Sequence, residues 1–162
     1  MCKFKLIKEI FTWDKLSCLW LNIAIILDWN ETNSILSKEL KTTNFKTTFN
    51  SLKSILKKNE KSLCVNADTS DNYCLNADYD EKRKADIFFG TVQIKENYVS
   101  FHLMPVYVNP RLLDGISPEL KKKMQGKSCF NFKEIDKTFL TELSDLTKKG
   151  FAFYKKNKML WG

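Results

Sequence analysis

The chain has 162 residues, of which 43% are hydrophobic and 13% aromatic, and 27 Lys and Arg against 19 Asp and Glu give it a formal charge of +8. This length fits one domain, and the apolar content is enough for a folded core, which excludes a globally disordered chain. The five cysteines form no CxxC pair, which argues against a disulfide framework or a zinc ribbon. Reduced thiols and a cytoplasmic location are therefore expected.

The basic residues are spread along the chain, with 21 Lys and Arg against 14 Asp and Glu in residues 44–162. Only Arg83 and Arg111 are arginines, and arginine is the usual residue for bidentate contacts with phosphates and bases. We therefore expect no sequence-specific nucleic-acid recognition. Weak binding of polyanions is kept as an alternative.

Residues 1–43 differ from the rest of the chain and are predicted to be an aromatic-rich N-terminal extension. They contain an apolar run, residues 16–27, that is shorter than the roughly 20 residues of a membrane-spanning helix. No membrane span is therefore expected. An added helix or strand, or a poorly ordered appendage, is favoured over a signal or membrane anchor, because a small-residue cleavage pattern is missing.

The second segment, residues 44–162, begins with a predicted helix that Thr43 or Asn44 could cap. Its apolar residues follow a helical spacing, and they are Phe45, Phe49, Leu52, Ile55 and Leu56. Residues 62–67 and 72–77 then read as a first hairpin, because the intervening residues 68–71 favour a turn. Residues 78–86 are predicted to be a charged loop.

A second hairpin is predicted from residues 87–95 and 98–104, with the turn at residues 96–97. Alternation places Ile94 opposite Val99 and Val92 opposite Phe101 on a buried face. On the other face, Gln93 meets Ser100 and Thr91 meets His102. The pattern therefore predicts a sheet with one buried and one wet side.

The rest of the chain adds two helices and a strand. A Ser-Pro-Glu start predicts a short helix from Ser117 to about Met124, residues 127–132 read as a strand, and Asp136 is placed to cap the last helix. The predicted fold is α+β, with two layers: a curved antiparallel sheet of about five strands backed by N- and C-terminal helices.

Three stretches in this segment are characteristic, namely residues 88–94 (FFGTVQI), 97–105 (NYVSFHLMP) and 112–132 (LLDGISPELKKKMQGKSCFNF). They resemble the YdhG-like family, small domains of unknown function. The resemblance extends over roughly residues 45–155. It implies a compact α+β fold similar to frataxin, and it implies that an intracellular iron chaperone is an alternative function, since some members are described in that way.

Frataxin-like proteins are expected to collect iron on an acidic ridge along the first helix, because hard cations prefer carboxylate oxygens. Here the corresponding helix, residues 44–59, carries Lys46, Lys53, Lys57 and Lys58 and no acidic residue, and the first acidic residue after it is Glu60. No cofactor is therefore expected, and iron belongs only to the alternative.

The sequence contains no complete catalytic set, so a non-enzymatic binding module is predicted. Ser100 and His102 lie two residues apart on one strand without a nucleophile elbow, and the Gly126–Ser128 segment lacks the first glycine of a P-loop. Cys129, and Cys64 with Cys74, are interpreted as structural thiols. The candidate site is the polar outer sheet face, which would bind another protein or a small anion, and its residues are Gln93, Tyr98, Ser100, His102 and Tyr107.

Overall fold

The computed structural model describes residues 15–80 and 84–157, and the chain divides into two units, Met1–Leu40 and Lys41–Gly162. In the first unit the described residues are helical, and the side chains of Ile35 and Leu36 are exposed. No helix within the described ranges is long and apolar enough to span a bilayer. The second unit contains the sheet and the remaining helices.

Helix α1 spans Lys15–Lys57, and its last part, from Lys41, belongs to the second unit. The predicted start at Thr43 or Asn44 is wrong, because residues 15–57 include neither Gly nor Pro and the helix runs through these positions. Asn44 instead donates from Nδ2 to Glu134 Oε1 at 3.0 Å. The predicted apolar stripe is confirmed, since all its members are buried: Phe45, Phe49, Leu52, Ile55 and Leu56.

The sheet is antiparallel, open and six-stranded, in the order β1-β2-β3-β4-β6-β5. Its strands are β1 Cys64–Asp68, β2 Asn72–Asp80, β3 Ala85–Ile94, β4 Val99–Leu103, β5 Met124–Gln125 and β6 Cys129–Phe132. The predicted α+β class is therefore confirmed. The sheet has one more strand than expected, because the short strand β5 pairs with β6.

Both predicted hairpins are present. The pairs Ile94–Val99, Val92–Phe101 and Gly90–Leu103 follow the expected register. The charged loop is shorter than predicted, because β2 continues to Asp80 and β3 begins at Ala85. The central part of that loop, residues 81–83, lies outside the described residues.

An irregularity in the β2–β3 pairing places Phe89 in the core. Leu75 pairs with Gly90 and Asn76 pairs with Phe88, so Phe89 lies between two paired residues, as in a β-bulge. The Phe89 ring is fully buried and makes edge contacts with Phe151 and Tyr154. Phe88 remains half-buried and its ring lies 5.2 Å from the His102 ring.

Helix α2 spans Met104–Val108 and directly follows β4. Helix α3, Pro118–Lys121, begins as predicted, because Ser117 Oγ accepts a hydrogen bond from Leu120 N at 3.1 Å. It ends earlier than predicted because Met124 already belongs to β5.

Helix α4 spans Lys137–Lys156, and Asp136 caps it as predicted, since its Oδ1 accepts from Phe139 N at 2.8 Å. The Tyr154 hydroxyl near its end donates to the Phe88 carbonyl at 2.9 Å, which ties α4 to β3. Burial raises the pKa of Tyr154 to about 12. The buried residues of α1, α4 and one side of the sheet form a single hydrophobic core.

Candidate functional site

The opposite side of the sheet carries two rows of cross-strand neighbours, which we call the outer face. One row runs Cys74, Thr91, His102, Cys129 and Gln125 across β2, β3, β4, β6 and β5. The second row runs Asn72, Gln93, Ser100 and Asn131 across β2, β3, β4 and β6. Almost all of these side chains are half-buried, and Gln125 is exposed. The rows alternate along each strand with core residues, as the period of a strand requires.

The outer face is polar but carries no charge near neutral pH. Burial lowers the pKa of His102, so its imidazole is neutral. Burial also raises the pKa of the Cys74 thiol, against the lowering effect of hydrogen bonds from Asn66 and Thr91, and burial raises the pKa of Cys129. Both thiols therefore stay protonated and are weak nucleophiles.

Some of these groups are held by hydrogen bonds within the face. Thr91 Oγ1 lies 2.9 Å from the Tyr73 carbonyl and 3.1 Å from Asn72 Oδ1. Asn131 Nδ2 donates to Gln125 Oε1. These bonds fix side-chain positions in advance, which lowers the entropy that a bound partner must remove.

His102 is less accessible than the predicted wet face implies. Its Nε2 atom is hydrogen-bonded to Ser128 Oγ at 2.8 Å, and Ser128 is only 4% exposed. The structure thus pairs the histidine with Ser128, whereas Ser100 lies between Gln93 and Asn131. A buried hydroxyl is poorly placed to attack a substrate, so this pair is best explained as a structural contact.

Of the other four predicted residues, two lie within the rows and two lie beside them. Gln93 and Ser100 are direct cross-strand partners in the middle of the face. Tyr98 is half-buried directly before β4, where its carbonyl accepts from Lys95 N at 2.8 Å. Tyr107 lies on α2, is 51% exposed, and has Lys127 Nζ 5.4 Å from its ring centre. The structure therefore joins Gln93, Ser100 and His102 in one surface, with Tyr98 and Tyr107 on separate elements beside it.

A cleft of about 650 Å³ opens beside Asn131 of the outer face and Tyr98. We call it the end cleft, and it is lined by Asn97, Tyr98, Lys123, Asn131, Phe132, Lys133 and Glu134. Lys41 Nζ donates to Asn97 Oδ1 at 2.9 Å, which adds a further cation beside it. The cleft is thus continuous with the outer face but differs from it in charge.

A second depression, of about 360 Å³, lies between α1 and α4 in the second unit. Hydroxyl groups line it, but Ser54 and Thr141 donate to carbonyls of their own helices. Its Lys148 is paired with Asp145 at 3.0 Å. Four polar groups of this depression, those of Ser54, Thr141, Asp145 and Lys148, are therefore used within the fold.

Within residues 15–80 and 84–157, no group of three or more His, Cys, Asp or Glu side chains is arranged to hold a metal ion. The cysteines Cys64, Cys74 and Cys129 are free thiols. Cys64 pairs across the strands with Asn76, and Cys74 pairs with Ala67, so the two thiols of the first hairpin are not directly opposite.

Comparisons of the chain with protein-family models, with curated proteins and with solved structures found no match. The resemblance to the YdhG-like family therefore stays a prediction.

Sequence reasoning missed Asn72, Asn131 and Ser128 as parts of the site. The alternation Cys129-Phe130-Asn131-Phe132 indicates one polar side of β6, with Phe130 and Phe132 buried. The alternation does not indicate which strand pairs with β6. The pairing of β6 with β4, which brings Asn131 next to Ser100, joins segments about thirty residues apart in the chain.

Proposed function

We propose that this protein is a cytoplasmic, non-enzymatic binding module of the YdhG-like type, and that its outer face binds another polypeptide. The supporting observation is the pair of uncharged, hydrogen-bonding rows across the sheet. Such a surface offers donors and acceptors without the desolvation penalty that buried charges impose.

A polypeptide fits this surface better than a small molecule does. Ligand sites for small molecules are concave and mostly apolar, whereas a sheet face is broad and presents its side chains in regular rows. Protein interfaces of the non-obligate kind are about as polar as the remaining surface, and they contain many hydrogen bonds. Amide side chains such as Gln93 and Asn131 can serve both donors and acceptors of a partner.

A random-peptide library displayed on phage tests this proposal. We expect peptides that are enriched on the wild-type protein to lose binding to a variant with Gln93→Ala and Ser100→Ala. These residues are chosen in place of His102, because replacing His102 would leave the buried Ser128 hydroxyl without its partner.

The matched control combines Asn50→Ala with Ser70→Ala, which removes an amide and a hydroxyl at exposed positions on α1 and in the β1–β2 turn. Enriched peptides should bind this variant as well as the wild type. Peptides that bind the face variant and the wild type equally would overturn the proposal, as would a library without enrichment.

Titration with ferrous iron under anaerobic conditions separates this proposal from the frataxin-like iron chaperone, which requires saturable binding. Retention on heparin that falls steeply with salt would instead support the polyanion-binding alternative.

A further inference from the structure

The end cleft presents positive charge that the fold itself does not neutralise. Lys123 and Lys133 both line it and are exposed. The structure pairs Lys53 with Asp68 and Lys148 with Asp145, but in the described part of the chain neither lysine of the cleft has a carboxylate within ion-pair distance.

Glu134 also lines the cleft, and its Oε1 accepts from the neutral amide of Asn44 at 3.0 Å, so its negative charge remains. Lys123 and Lys133 in the lining and Lys41 beside it still leave the cleft with more positive than negative charge. Lys123 Nζ lies 6.0 Å from the Phe139 ring centre, and this contact orients the ammonium group without cancelling its charge. The lining thus combines two available cations with the amides of Asn97 and Asn131, and all four groups can donate hydrogen bonds to carboxylate oxygens.

The end cleft also continues the outer face, since Asn131 lies in both and Tyr98 directly precedes β4. A polypeptide on the uncharged rows would therefore reach the two lysines at the end of the sheet. Charge complementarity at the border of an interface fixes the register of a partner and speeds its association.

We infer that the end cleft receives acidic side chains of the polypeptide that binds the outer face. This inference rests on the function proposed above and narrows its partner class to polypeptides with Asp or Glu near one end of the bound segment. It disfavours partners that are neutral or basic at that position.

The test uses two fluorescein-labelled octapeptides, one alternating Gly with Glu and one alternating Gly with Gln, and the full-length protein. Fluorescence anisotropy at about 50 mM salt should show the Glu peptide binding about fivefold more tightly, since one exposed ion pair contributes up to about fivefold and two lysines are available. This ratio should fall as salt is added.

The variant Lys123→Gln with Lys133→Gln should bring the ratio of the two affinities close to one. The matched control, Lys155→Gln with Lys156→Gln, lowers the net charge equally at exposed positions of α4 and should keep the wild-type ratio. Lys123→Arg with Lys133→Arg should also keep it, because the charges remain.

The outcomes separate this inference from the proposed function. Equal binding of the two peptides by the wild type, no saturable binding of the Glu peptide, or an equal loss in both glutamine variants overturns the inference. The Gln93→Ala, Ser100→Ala variant should bind both peptides more weakly by the same factor, which preserves the ratio of the two affinities. If it changes neither affinity while the lysine variant abolishes the preference, the cleft binds acidic peptides and the proposed role of the outer face fails.

Discussion

The surroundings of His102 favour its neutral form over its protonated form. Burial lowers the pKa of the imidazole, the Phe88 ring meets it edge-on at 5.2 Å, and Ser128 Oγ lies 2.8 Å from Nε2. Protonation would place a charge beside these groups, and in the described part of the chain no carboxylate faces the ring to compensate it. His102 is also the only histidine of the chain.

We predict that acidification destabilises the fold through His102. Its pKa in the folded state lies below the unfolded value of about 6.5, so the unfolded state binds more protons as the pH falls through that value. The stabilising effect of the neutral imidazole is complete above about pH 6.5 and is lost as the pH falls toward the lower, folded pKa.

Urea unfolding at pH 7.5, 6.5 and 5.5 measures this loss. The variant His102→Gln can keep a hydrogen bond to Ser128 without titrating, so its free energy of unfolding should fall less between pH 7.5 and 5.5. Equal slopes for the wild type and the variant would contradict the assignment.

Gly90 allows β3 and β4 to approach closely. A Cβ atom at this position would lie 2.9 Å from the His102 carbonyl oxygen and 3.4 Å from Leu56 Cδ2. The carbonyl belongs to a paired strand and cannot turn aside as a flexible side chain can.

We predict that Gly90→Ala lowers the free energy of unfolding by about 1–3 kcal/mol, the usual range for overpacking. Gly115→Ala is the control, because its Cβ would meet only the mobile end of Lys149, at 3.1 Å. Chemical denaturation of both variants gives the comparison, and similar stabilities would argue against the steric explanation.

At the scale of elements, local patterns predicted most of the second unit. The spacing of Phe45, Phe49 and Leu52 predicted the buried face of α1, and alternation in β3 and β4 predicted their register, because both signals depend on neighbouring residues. The start of α1 was predicted wrongly because Thr43 and Asn44 can cap a helix but can also lie inside one. Such a residue marks a helix start only where the residues before it cannot be helical, and here they are helical.

Features that depend on contacts between distant segments could not be predicted from the sequence. The bulge that turns Phe89 into the core depends on how β2 aligns with β3, and the two-residue strand β5 exists only through its pairing with β6. For the same reason, Gln93, Ser100 and His102 were found from one hairpin, whereas Asn131 and the end cleft required the position of β6.

The cap of α4 gives a prediction at this scale. Asp136→Ala removes the acceptor for Phe139 N and should lower the free energy of unfolding by about 1 kcal/mol. Asp136→Asn keeps an acceptor oxygen and should recover most of that stability. Thermal unfolding followed by circular dichroism measures both, and an Asn variant as unstable as the Ala variant would show that the cap is not the cause.

At the scale of the whole molecule, the buried apolar residues that the structure describes extend from Phe45 to Tyr154 and lie in the second unit. We therefore predict that a fragment of residues 41–162 unfolds cooperatively. Its Tm should lie within about 5 °C of the full-length value, which corresponds to roughly 1 kcal/mol.

A fragment that begins at residue 51 is the control, because it lacks the buried residues Phe45, Thr48 and Phe49. It should be much less stable or fail to fold. If the fragment of residues 41–162 shows no cooperative transition, the second unit is not independently stable.

The two edges of the open sheet determine whether copies of the protein can associate through their strands. Another strand could extend it only at β1 or β5. Strand β5 offers two residues, and the pairing of β1 is irregular between Val65 and Ala67. Short and kinked edges resist the strand-to-strand growth that leads to fibrils, so the sheet can expose a broad polar face to a partner without its edges joining other copies.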